Sequence, residues 1–346
     1  MMKSLRKLFS ASALLFCLIQ TASGQELELK VLQLNIWQEG TQLPGGYEAI
    51  VNEIASLKPD LVTFSEVRNY KNTRFNERIL KDLALRGQSY YSFFSSGSGV
   101  LSKYPITDSS LVFKEKGSIY KMITHIGGRE IALYSAHLDY ENYAVYLPRG
   151  YSGTTWKKLN APVLNKDTVL ADNLASKRDE AIQSFVTEAK QDLKKGRLVF
   201  LGGDFNEASH LDWIASTKNS FDHNGMIIPW QNSKTLYKNG FKDSYRVVHP
   251  DPLNYPGFTF PSDNKDLEVK KMTWAPDADE RERIDFIYYY PDKSLKAVRS
   301  SVVGPKSSIL RNQRVEERTK DYFITPQGVW PSDHKGVLTV FKLRQE

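Results

Sequence analysis

The chain has 346 residues, of which 25% are charged and 40% are hydrophobic, with 47 Lys and Arg against 40 Asp and Glu. A chain of this length can bury a substantial core, and its composition excludes collagen, a coiled coil and a disordered chain. The charges are spread along the sequence, so composition alone does not indicate a nucleic-acid-binding protein. We therefore expect a globular protein whose function has to be sought in its motifs.

The first residues have the layout of a secretory signal. Three basic residues precede an apolar stretch over residues 8–19, and a small-residue triplet at residues 22–24 resembles a cleavage site. A membrane anchor is the alternative, but crossing a bilayer takes about 20 apolar residues, and this stretch ends at Gln20. We therefore predict a signal peptide over residues 1–24 and a secreted or periplasmic mature chain that begins near Gln25.

Removal of this segment changes the cysteine content and the charge. Cys17, the one cysteine of the sequence, lies within it. A mature chain without cysteine has no disulfide, no thiolate metal site and no cysteine nucleophile. The segment also carries three of the 47 basic residues, which leaves 44 against 40 acidic residues and a net charge of +4. Nuclease action requires a basic surface, which this charge permits but does not indicate.

The apolar periodicity in the first half of the chain alternates between strand and helix. A strand over residues 27–37, a helix over 47–57 and a strand over 61–64 form a βαβ unit. Two later apolar runs flank Gly127-Gly128, which predicts a hairpin with a two-residue turn. Together these elements indicate an α/β fold with hairpins.

The second half continues this pattern. Residues 176–179 resemble a capping box that opens an amphipathic helix, which ends at Gly196 and is followed by a buried strand over residues 198–201. Further strands are predicted over residues 283–290 and 337–343. Because no linker or repeat follows residue 25, we predict one catalytic domain over residues 25–346.

A stretch without sustained periodicity covers residues 139–176. Its aromatic residues argue against disorder, and a connection this long in a compact domain usually has a function. Two interpretations remain open. The aromatic side chains cover the core, or the stretch covers a substrate beside the strand ends. The aromatic residues are Tyr140, Tyr143, Tyr146, Tyr151 and Trp156.

Several predicted strands end in polar residues that can bind a metal or move a proton. Because open α/β sheets place their sites at strand carboxyl ends, we expect these residues to converge although they are spread over most of the chain. The set contains four carboxylates, two carboxamides and two histidines. It comprises Glu66, Asp204, Asp285, Asp333, Asn35, Asn206, His137 and His334. Oxygen ligands without sulfur favour a hard cation, with Mg²⁺ first and Mn²⁺ or Ca²⁺ as alternatives.

The order of these motifs resembles that of the endonuclease/exonuclease/phosphatase superfamily, the deoxyribonuclease-I-like fold, over residues 30–343. The motifs are Gln33-Leu34-Asn35, Ser65-Glu66-Val67, Ala136-His137-Leu138-Asp139, Gly203-Asp204-Phe205-Asn206, Arg283-Ile284-Asp285-Phe286 and Ser332-Asp333-His334. The resemblance implies a four-layer α/β sandwich, in which two facing mixed β-sheets are flanked by helices.

The resemblance also implies an activity and a metal site. The activity is that of a secreted, bacterial-type phosphoesterase that depends on a divalent metal. It hydrolyses phosphodiester or phosphomonoester bonds by in-line attack of an activated water. By this resemblance Glu66 is the principal metal ligand, and Asn35 and Asp333 complete or support the metal site. We expect a monomer with a phosphate-ester substrate and without an obligate protein partner.

Five further residues receive catalytic roles from the resemblance. Asp204 orients or deprotonates the attacking water, and Asn206 binds the phosphoryl oxygens. His137 stabilises or protonates the leaving oxygen. His334, oriented by Asp285, contacts the phosphate or shares the acid–base work, since a histidine kept protonated near phosphate needs a carboxylate neighbour. Members of the superfamily differ over which residue is the base and which the acid, so these two labels stay open.

Fold does not determine the substrate, which is a small molecule, a lipid head group or a nucleic acid. One alternative function is an endonuclease acting on DNA or RNA. Another is a hydrolase of the sphingomyelinase or inositol-phosphatase type, and the former needs an apolar or aromatic hairpin to enter a membrane surface. A non-catalytic binding module would be expected to have lost part of the catalytic set, and the sequence retains all of it.

Overall fold

A computed structural model describes residues 26–345, which form two six-stranded sheets, a two-stranded ribbon and six α-helices. The strands in chain order are β1 (Glu26–Asn35), β2 (Leu61–Val67), β3 (Gly97–Ser102), β4 (Ile106–Lys114), β5 (Ser118–Ile126), β6 (Arg129–His137), β7 (Leu198–Asp204), β8 (Lys242–Asp243), β9 (Asp285–Tyr289), β10 (Leu295–Val303), β11 (Ser307–Leu310), β12 (Gln313–Glu316), β13 (Phe323–Ile324) and β14 (Gly336–Arg344). The helices are α1 (Gly46–Leu57), α2 (Phe75–Ala84), α3 (Lys166–Asn173), α4 (Arg178–Lys194), α5 (Gln231–Lys238) and α6 (Ser244–Val248), with short 3-10 helices at Asn69–Lys71, Ala144–Tyr146 and Val269–Lys271.

The two large sheets pack face to face. The first has the strand order β13-β10-β14-β1-β2-β3 and the second β4-β5-β6-β7-β9-β8. Both are mixed, because β1 pairs in parallel with β2, and β6 with β7, while most other pairs are antiparallel. Helices α1 and α2 cover the outer face of the first sheet, and α4 and α5 cover that of the second. This arrangement confirms the predicted four-layer α/β sandwich.

Strand alternation determines which side chains fill the space between the sheets. In β1, Leu29 and Val31 belong to the core between the sheets, whereas Leu32 packs on the outer face beneath the helices. Successive side chains of a strand point to opposite faces. Gln33 and Asn35 have the parity of Val31 and therefore face the interior between the sheets, where both are fully buried.

The other central strands change character in the same way. In β7, Leu198 and Phe200 face the core between the sheets, and the same parity continues to Asp204. Strands β2 and β6 follow this parity to Ser65 and His137. The space between the sheets is therefore apolar at one end and polar at the other, because the inward residues change from hydrophobic to polar along each strand.

The predicted elements of the first half are confirmed, with differences at their ends, and β1 covers Glu26–Asn35 where a strand over residues 27–37 is predicted. The helix begins one residue earlier, at Gly46, and the hairpin turn is present, with φ of 59° at Gly127 and 82° at Gly128. Positive φ at both turn positions is what a tight two-residue hairpin requires. Strand β2, however, continues beyond residue 64 to Val67, because a bulge between Ser65 and Val67 keeps the pairing with β3.

Helix α4 has the predicted apolar face, but the predicted capping box is wrong. The helix begins at Arg178, and no side chain caps it from the N-cap residue Lys177. The Ser176 hydroxyl instead donates to the Asn173 carbonyl at 2.9 Å. The Lys177 N–H donates to Asp139 Oδ2 at 3.0 Å. A carboxylate from a distant loop thus replaces the local cap.

Residues 1–24, which carry the predicted signal peptide, lie outside the described residues, so the signal and the export stay predictions. The single catalytic domain over residues 25–346 also stays a prediction. Within residues 26–345, none of the helices combines the length with the apolar character that crossing a bilayer requires.

The two sheets approach closely at their polar end because β7 carries Gly202 there. A Cβ atom at this position would lie 2.2 Å from Thr63 Oγ1 on the facing strand β2. The Thr63 hydroxyl donates to Gln33 Oε1 at 2.6 Å, so it cannot move away without losing a buried hydrogen bond.

We expect Gly202→Ala to destabilise the protein by about 1–3 kcal/mol, because the added methyl group overpacks the space between the sheets. Urea unfolding measures the change. Gly328→Ala is the matched control, since no atom lies within 4 Å of a Cβ there. The cost of Gly202→Ala should fall in a Thr63→Ala background. An equal cost in both backgrounds would contradict this explanation.

Candidate active site

The pairing register places three of the predicted residues side by side on the second sheet. His137 pairs with Asp204 across β6 and β7, and Asp204 pairs with Asp285 across β7 and β9. On the facing sheet Asn35 pairs with Ser65, the residue before Glu66. His137, Asp204 and Asp285 on the second sheet thus face Asn35 and Glu66 on the first, and all of them lie at the polar end of the space between the sheets.

Asn35 connects the two sheets through its carboxamide. Its Nδ2 donates to Glu66 Oε1 at 3.1 Å and to Asp204 Oδ2 at 2.9 Å. Its Oδ1 accepts the Trp37 backbone N–H at 2.9 Å. Two carboxylates thus share one neutral donor group, and the carboxamide oxygen is occupied by the backbone. Asn35 therefore fixes the positions of the Glu66 and Asp204 carboxylates relative to each other.

Glu66 occupies a backbone conformation that side chains rarely adopt. It lies at the β2 bulge with φ of 71°, a left-handed value that is uncommon for residues other than glycine and clusters at functional sites. Its Oε2 accepts the Gln38 N–H at 2.9 Å. The bulge turns this half-buried carboxylate out of the sheet and toward the open end of the sandwich.

His334 lies between two carboxylates. Its Nδ1 is 2.9 Å from Asp285 Oδ2, and its Nε2 is 3.8 Å from Asp204 Oδ2. The other oxygen of Asp285 accepts from Gln33 Nε2 at 3.2 Å, which fixes the carboxylate. Burial opposes a charged imidazole, but Asp285, Asp204 and Asp333 outweigh it and raise the pKa of His334 to about 10. The imidazole is therefore cationic at neutral pH.

Asp204 is buried, and its pKa lies well above that of an ordinary aspartate. Burial raises the pKa of Asp204 to about 6, with Asp285 adding to the increase and His334 and His137 opposing it. Its Oδ1 accepts the Asn206 N–H at 2.9 Å. Asn206 has φ of 48° and donates its Nδ2 to the Leu138 carbonyl at 3.0 Å. Asn206, two residues after β7, is thereby held against the residue that follows β6.

Asp333 has a buried oxygen, Oδ1, without a hydrogen-bond partner. Burial raises the pKa of Asp333 to about 7, and the nearby carboxylate of Glu66 contributes to this increase. An unpaired buried carboxylate beside another acid is costly, and a bound cation would offset that cost. The oxygen-rich residues around Asp333 thus fit the hard cation that the sequence predicts.

A second set of groups could also hold a metal. Ligand atoms of Asp204, Asp285 and His334 all lie within 4.8 Å of one another. Within this set, however, His334 Nδ1 and Asp285 Oδ2 are already paired at 2.9 Å. This pairing occupies two of the three ligand groups. It favours a role in proton transfer, and not in metal binding, for these three residues.

The sequence predicts that the polar residues lie at strand carboxyl ends, but this prediction is wrong for some of them. Asp285 is the first residue of β9, and His334 precedes β14. Strand β9 runs antiparallel to β7, and β14 runs antiparallel to β1. In a mixed sandwich the same edge therefore collects the ends of some strands and the beginnings of others.

A cavity of about 150 Å³ opens beside Asn206, Asp333 and His334. We call its aromatic lining the aromatic box, which consists of Tyr140, Tyr143, Tyr146, Trp156, Phe260 and Trp274. The first interpretation of the 139–176 stretch, that its aromatic residues cover the core, is confirmed, and the second, that it covers a substrate, stays a prediction. Tyr143, Tyr146 and Tyr151 are buried in a hydrophobic cluster, and most of the aromatic residues of the stretch also line this cavity.

Arg178, the first residue of α4, holds the loop that follows β6 through its buried guanidinium. Its guanidinium donates to the carbonyls of Asp139, Glu141 and Asn142, each at 2.8 Å, and lies 3.8 Å from the Glu207 carboxylate. This fully buried side chain therefore fixes the loop that follows β6. Sequence reasoning does not find these acceptors, because backbone carbonyls have no sequence signature.

The Asn35 bridge yields a test of the site's electrostatics. Asn35→Asp removes both N–H donors and adds a third acid between Glu66 and Asp204. In EDTA at pH 8 we expect a loss of stability of about 2–4 kcal/mol. The loss should shrink at pH 5.5, because the cost of a raised carboxylate pKa grows with pH from the pKa of the unfolded chain up to that of the folded protein.

Urea unfolding at both pH values measures this change. Asn35→Ala is the control, since it removes the donors without adding charge, and it should show a weaker pH dependence. Wild-type stability for Asn35→Asp at pH 8 would show that the carboxamide does not hold the two acids together.

Comparison with known proteins agrees with this architecture. A Caenorhabditis elegans relative, uncharacterized protein F14F9.5, is 26% identical over 288 residues, which cover 82% of this chain and 85% of the relative. Truncated C. elegans TDP2 has a similar fold, with a TM-score of 0.51 and 16% identity, covering 91% of this chain and 97% of that one. The human nocturnin catalytic domain with bound sulfate has a TM-score of 0.51 and 14% identity, and the match covers 92% of this chain and 97% of that one.

The structural neighbours show the fold, and the family follows from the sequence match. A profile of the Endonuclease/Exonuclease/phosphatase family matches residues 32–334, which include all eight predicted site residues. The bacterial type that the sequence indicates stays a prediction. The chain belongs to the Endonuclease/Exonuclease/phosphatase family, whose three named activities all hydrolyse phosphate esters.

Proposed function

We propose that this protein is a divalent-metal-dependent phosphodiesterase in which a water molecule attacks phosphorus in line with the leaving oxygen. The observation that carries the proposal is the contact between acids from both sheets through Asn35, which lies 2.9 Å from Asp204 and 3.1 Å from Glu66. A binding module would not need to hold so many acids and a cationic histidine in one water-accessible cleft.

Glu66 and the unpaired oxygen of Asp333 are the proposed metal ligands, supported by Asn35. Their oxygen chemistry suits Mg²⁺ first, with Mn²⁺ or Ca²⁺ as alternatives. When bound, such a cation neutralises phosphate charge and so favours displacement by water. Glu66 is suited to this position because its strained backbone turns the carboxylate toward the cleft, where it is half-buried.

Asp204 and Asn206 are proposed to act on the attacking side. With a pKa near 6, Asp204 is largely ionised at neutral pH and can accept a proton from water. Asn206 uses one N–H of its carboxamide on the Leu138 carbonyl at 3.0 Å. Its second N–H is available for a phosphoryl oxygen, where charge develops during the displacement.

The two histidines are proposed to act on the phosphate and the leaving oxygen. The protonated His334, held by Asp285 at 2.9 Å, donates to the phosphate. His137 lies at the end of β6 and is partly exposed, so it can protonate the leaving oxygen. Because Asp204 on β7 pairs with His137 on β6 in the sheet register, proton acceptance and proton donation occur on adjacent strands.

Export is the remaining part of the proposal. It rests on the basic, apolar and small-residue regions of residues 1–24. N-terminal sequencing of the mature protein recovered outside the cytoplasm should begin near Gln25.

Glu66→Gln tests the metal assignment. We expect Mg²⁺-dependent hydrolysis of bis-p-nitrophenyl phosphate by the wild type, its loss in EDTA, and a decrease of about 10²-fold or more in Glu66→Gln. Glu48→Gln is the matched control, because this carboxylate is 56% exposed on α1 and pairs with Arg86. It should retain wild-type turnover.

The same assay with p-nitrophenyl phosphate, DNA, RNA, sphingomyelin and inositol phosphates separates diesterase, monoesterase and nuclease action. Full hydrolysis by Glu66→Gln in Mg²⁺ would contradict the metal assignment. Inertness of the wild type toward every phosphate ester would remove the proposed function and favour a binding module.

A further inference from the structure

We infer that the aromatic box is a specificity pocket for a quaternary alkylammonium group carried by the substrate phosphodiester. The inference rests on the proposed phosphodiesterase function and specifies its substrate class. The box borders Asn206, Asp333 and His334, so its occupant lies next to the phosphate. Its volume of about 150 Å³ is well below the roughly 300–1,000 Å³ of pockets that enclose a whole ligand. It therefore holds one compact group of a larger substrate.

The ring orientations favour a rounded group over a flat one. Tyr143 and Tyr146 meet at 81°, and Tyr146 and Trp156 also meet at 81°. Phe260 and Trp274 are tilted by 40°. A nucleobase stacks best between parallel rings, whereas rings facing several directions surround a compact group. A trimethylammonium group has this rounded shape and offers polarised C–H groups on every side.

The aromatic composition of the box favours a cation. Of the described residues that line the cavity, none is Lys or Arg, and Asp333 supplies a carboxylate. The Tyr143 hydroxyl is buried without a hydrogen-bond partner. Aromatic faces attract cations within about 6 Å, with trimethylammonium groups among the best-suited ligands. The cationic side chain among the described lining residues, His334, is paired with Asp285 at 2.9 Å and is proposed to contact the reacting phosphate, so it is not free for a second phosphate.

The box is held in shape before any ligand arrives. The Tyr146 hydroxyl donates to Glu280 Oε2 at 2.7 Å. The Trp156 backbone N–H donates to the Ser152 carbonyl at 3.1 Å, within a loop closed by the Tyr151 and Lys158 bridge. A pre-formed pocket loses little conformational entropy on binding, so the aromatic contacts contribute directly to affinity.

The position of the box also orients the substrate. His137, which we propose to protonate the leaving oxygen, lines a separate groove of about 420 Å³, and Tyr140 borders both spaces. The leaving group therefore occupies the His137 groove, and the alkylammonium substituent stays with phosphorus. Water forms the new P–O bond and gives one proton to Asp204, the bond to the leaving oxygen breaks, and that oxygen takes the proton of His137. The products are an alcohol and an alkylammonium phosphate monoester.

Two p-nitrophenyl diesters that differ only in charge test the inference. One carries choline, and the other carries 3,3-dimethylbutanol, its neutral carbon isostere. In Mg²⁺ we expect the wild type to hydrolyse the choline diester with a kcat/KM roughly tenfold higher, because the two groups share one shape and differ in the cation–π attraction. The p-nitrophenyl ester of thymidine 5′-phosphate tests a nucleobase in the same pocket.

In Trp156→Ala the ratio of kcat/KM for the choline diester to kcat/KM for its neutral isostere should fall close to one. Trp156→Phe should keep most of the wild-type ratio. Tyr237→Ala, an aromatic truncation on α5 at a side chain 49% exposed, is the control and should leave the ratio unchanged. Equal rates for the two isosteric diesters, or a preference for the thymidine diester, would overturn the inference. If bis-p-nitrophenyl phosphate is cleaved in that case, the proposed function survives. If no diester is cleaved, both fail.

Discussion

Polar side chains buried between two facing sheets are shielded from bulk water, so they need hydrogen-bond partners within the protein, and here several of these partners come from the opposite sheet. Ser65 shows how this constraint fixes the site. Its hydroxyl donates to the Ala136 carbonyl at 2.9 Å and accepts the Asp204 N–H at 3.0 Å, which joins β2 to both β6 and β7. Asn35 adds a second connection through the carboxylates themselves. The hydrogen bonds that join the two sheets therefore also set the spacing of the acidic groups.

The close approach of the two sheets also concentrates charge and backbone strain at the edge that carries the site. Glu66 and Asn206 have left-handed backbones with φ of 71° and 48°, a conformation that costs energy and persists only where its surroundings impose it. Asp333 keeps a buried oxygen unpaired, and His334 is held cationic by the acids around it. An acidic cluster that is only partly neutralised from within fits a protein that binds a cation and a phosphate. The aromatic box then supplies selectivity without adding charge to this edge.

Much of this could be predicted from the sequence, because strand periodicity and strand-end motifs are local. The hairpin at Gly127-Gly128 and the apolar face of α4 are examples, while the four layers came from the resemblance of the ordered motifs. What failed depends on contacts between distant residues. The cap of α4 comes from Asp139, and the acceptors of Arg178 are backbone carbonyls. His223 lies in a polar loop, yet it is buried and stacks on Trp213 with the ring centroids 3.8 Å apart, and loop composition does not reveal such burial.

The central claim is that Glu66 and Asp333 share one cation. Crystals soaked in Mn²⁺ and measured at the manganese absorption edge locate the ion through its anomalous signal. The account predicts a peak within coordination distance of a Glu66 oxygen and of Asp333 Oδ1, with Asn35 behind them, and no such peak in Glu66→Gln crystals. A peak enclosed by Asp204, Asp285 and His334 in the wild type would contradict the assignment of metal ligands and proton-handling groups.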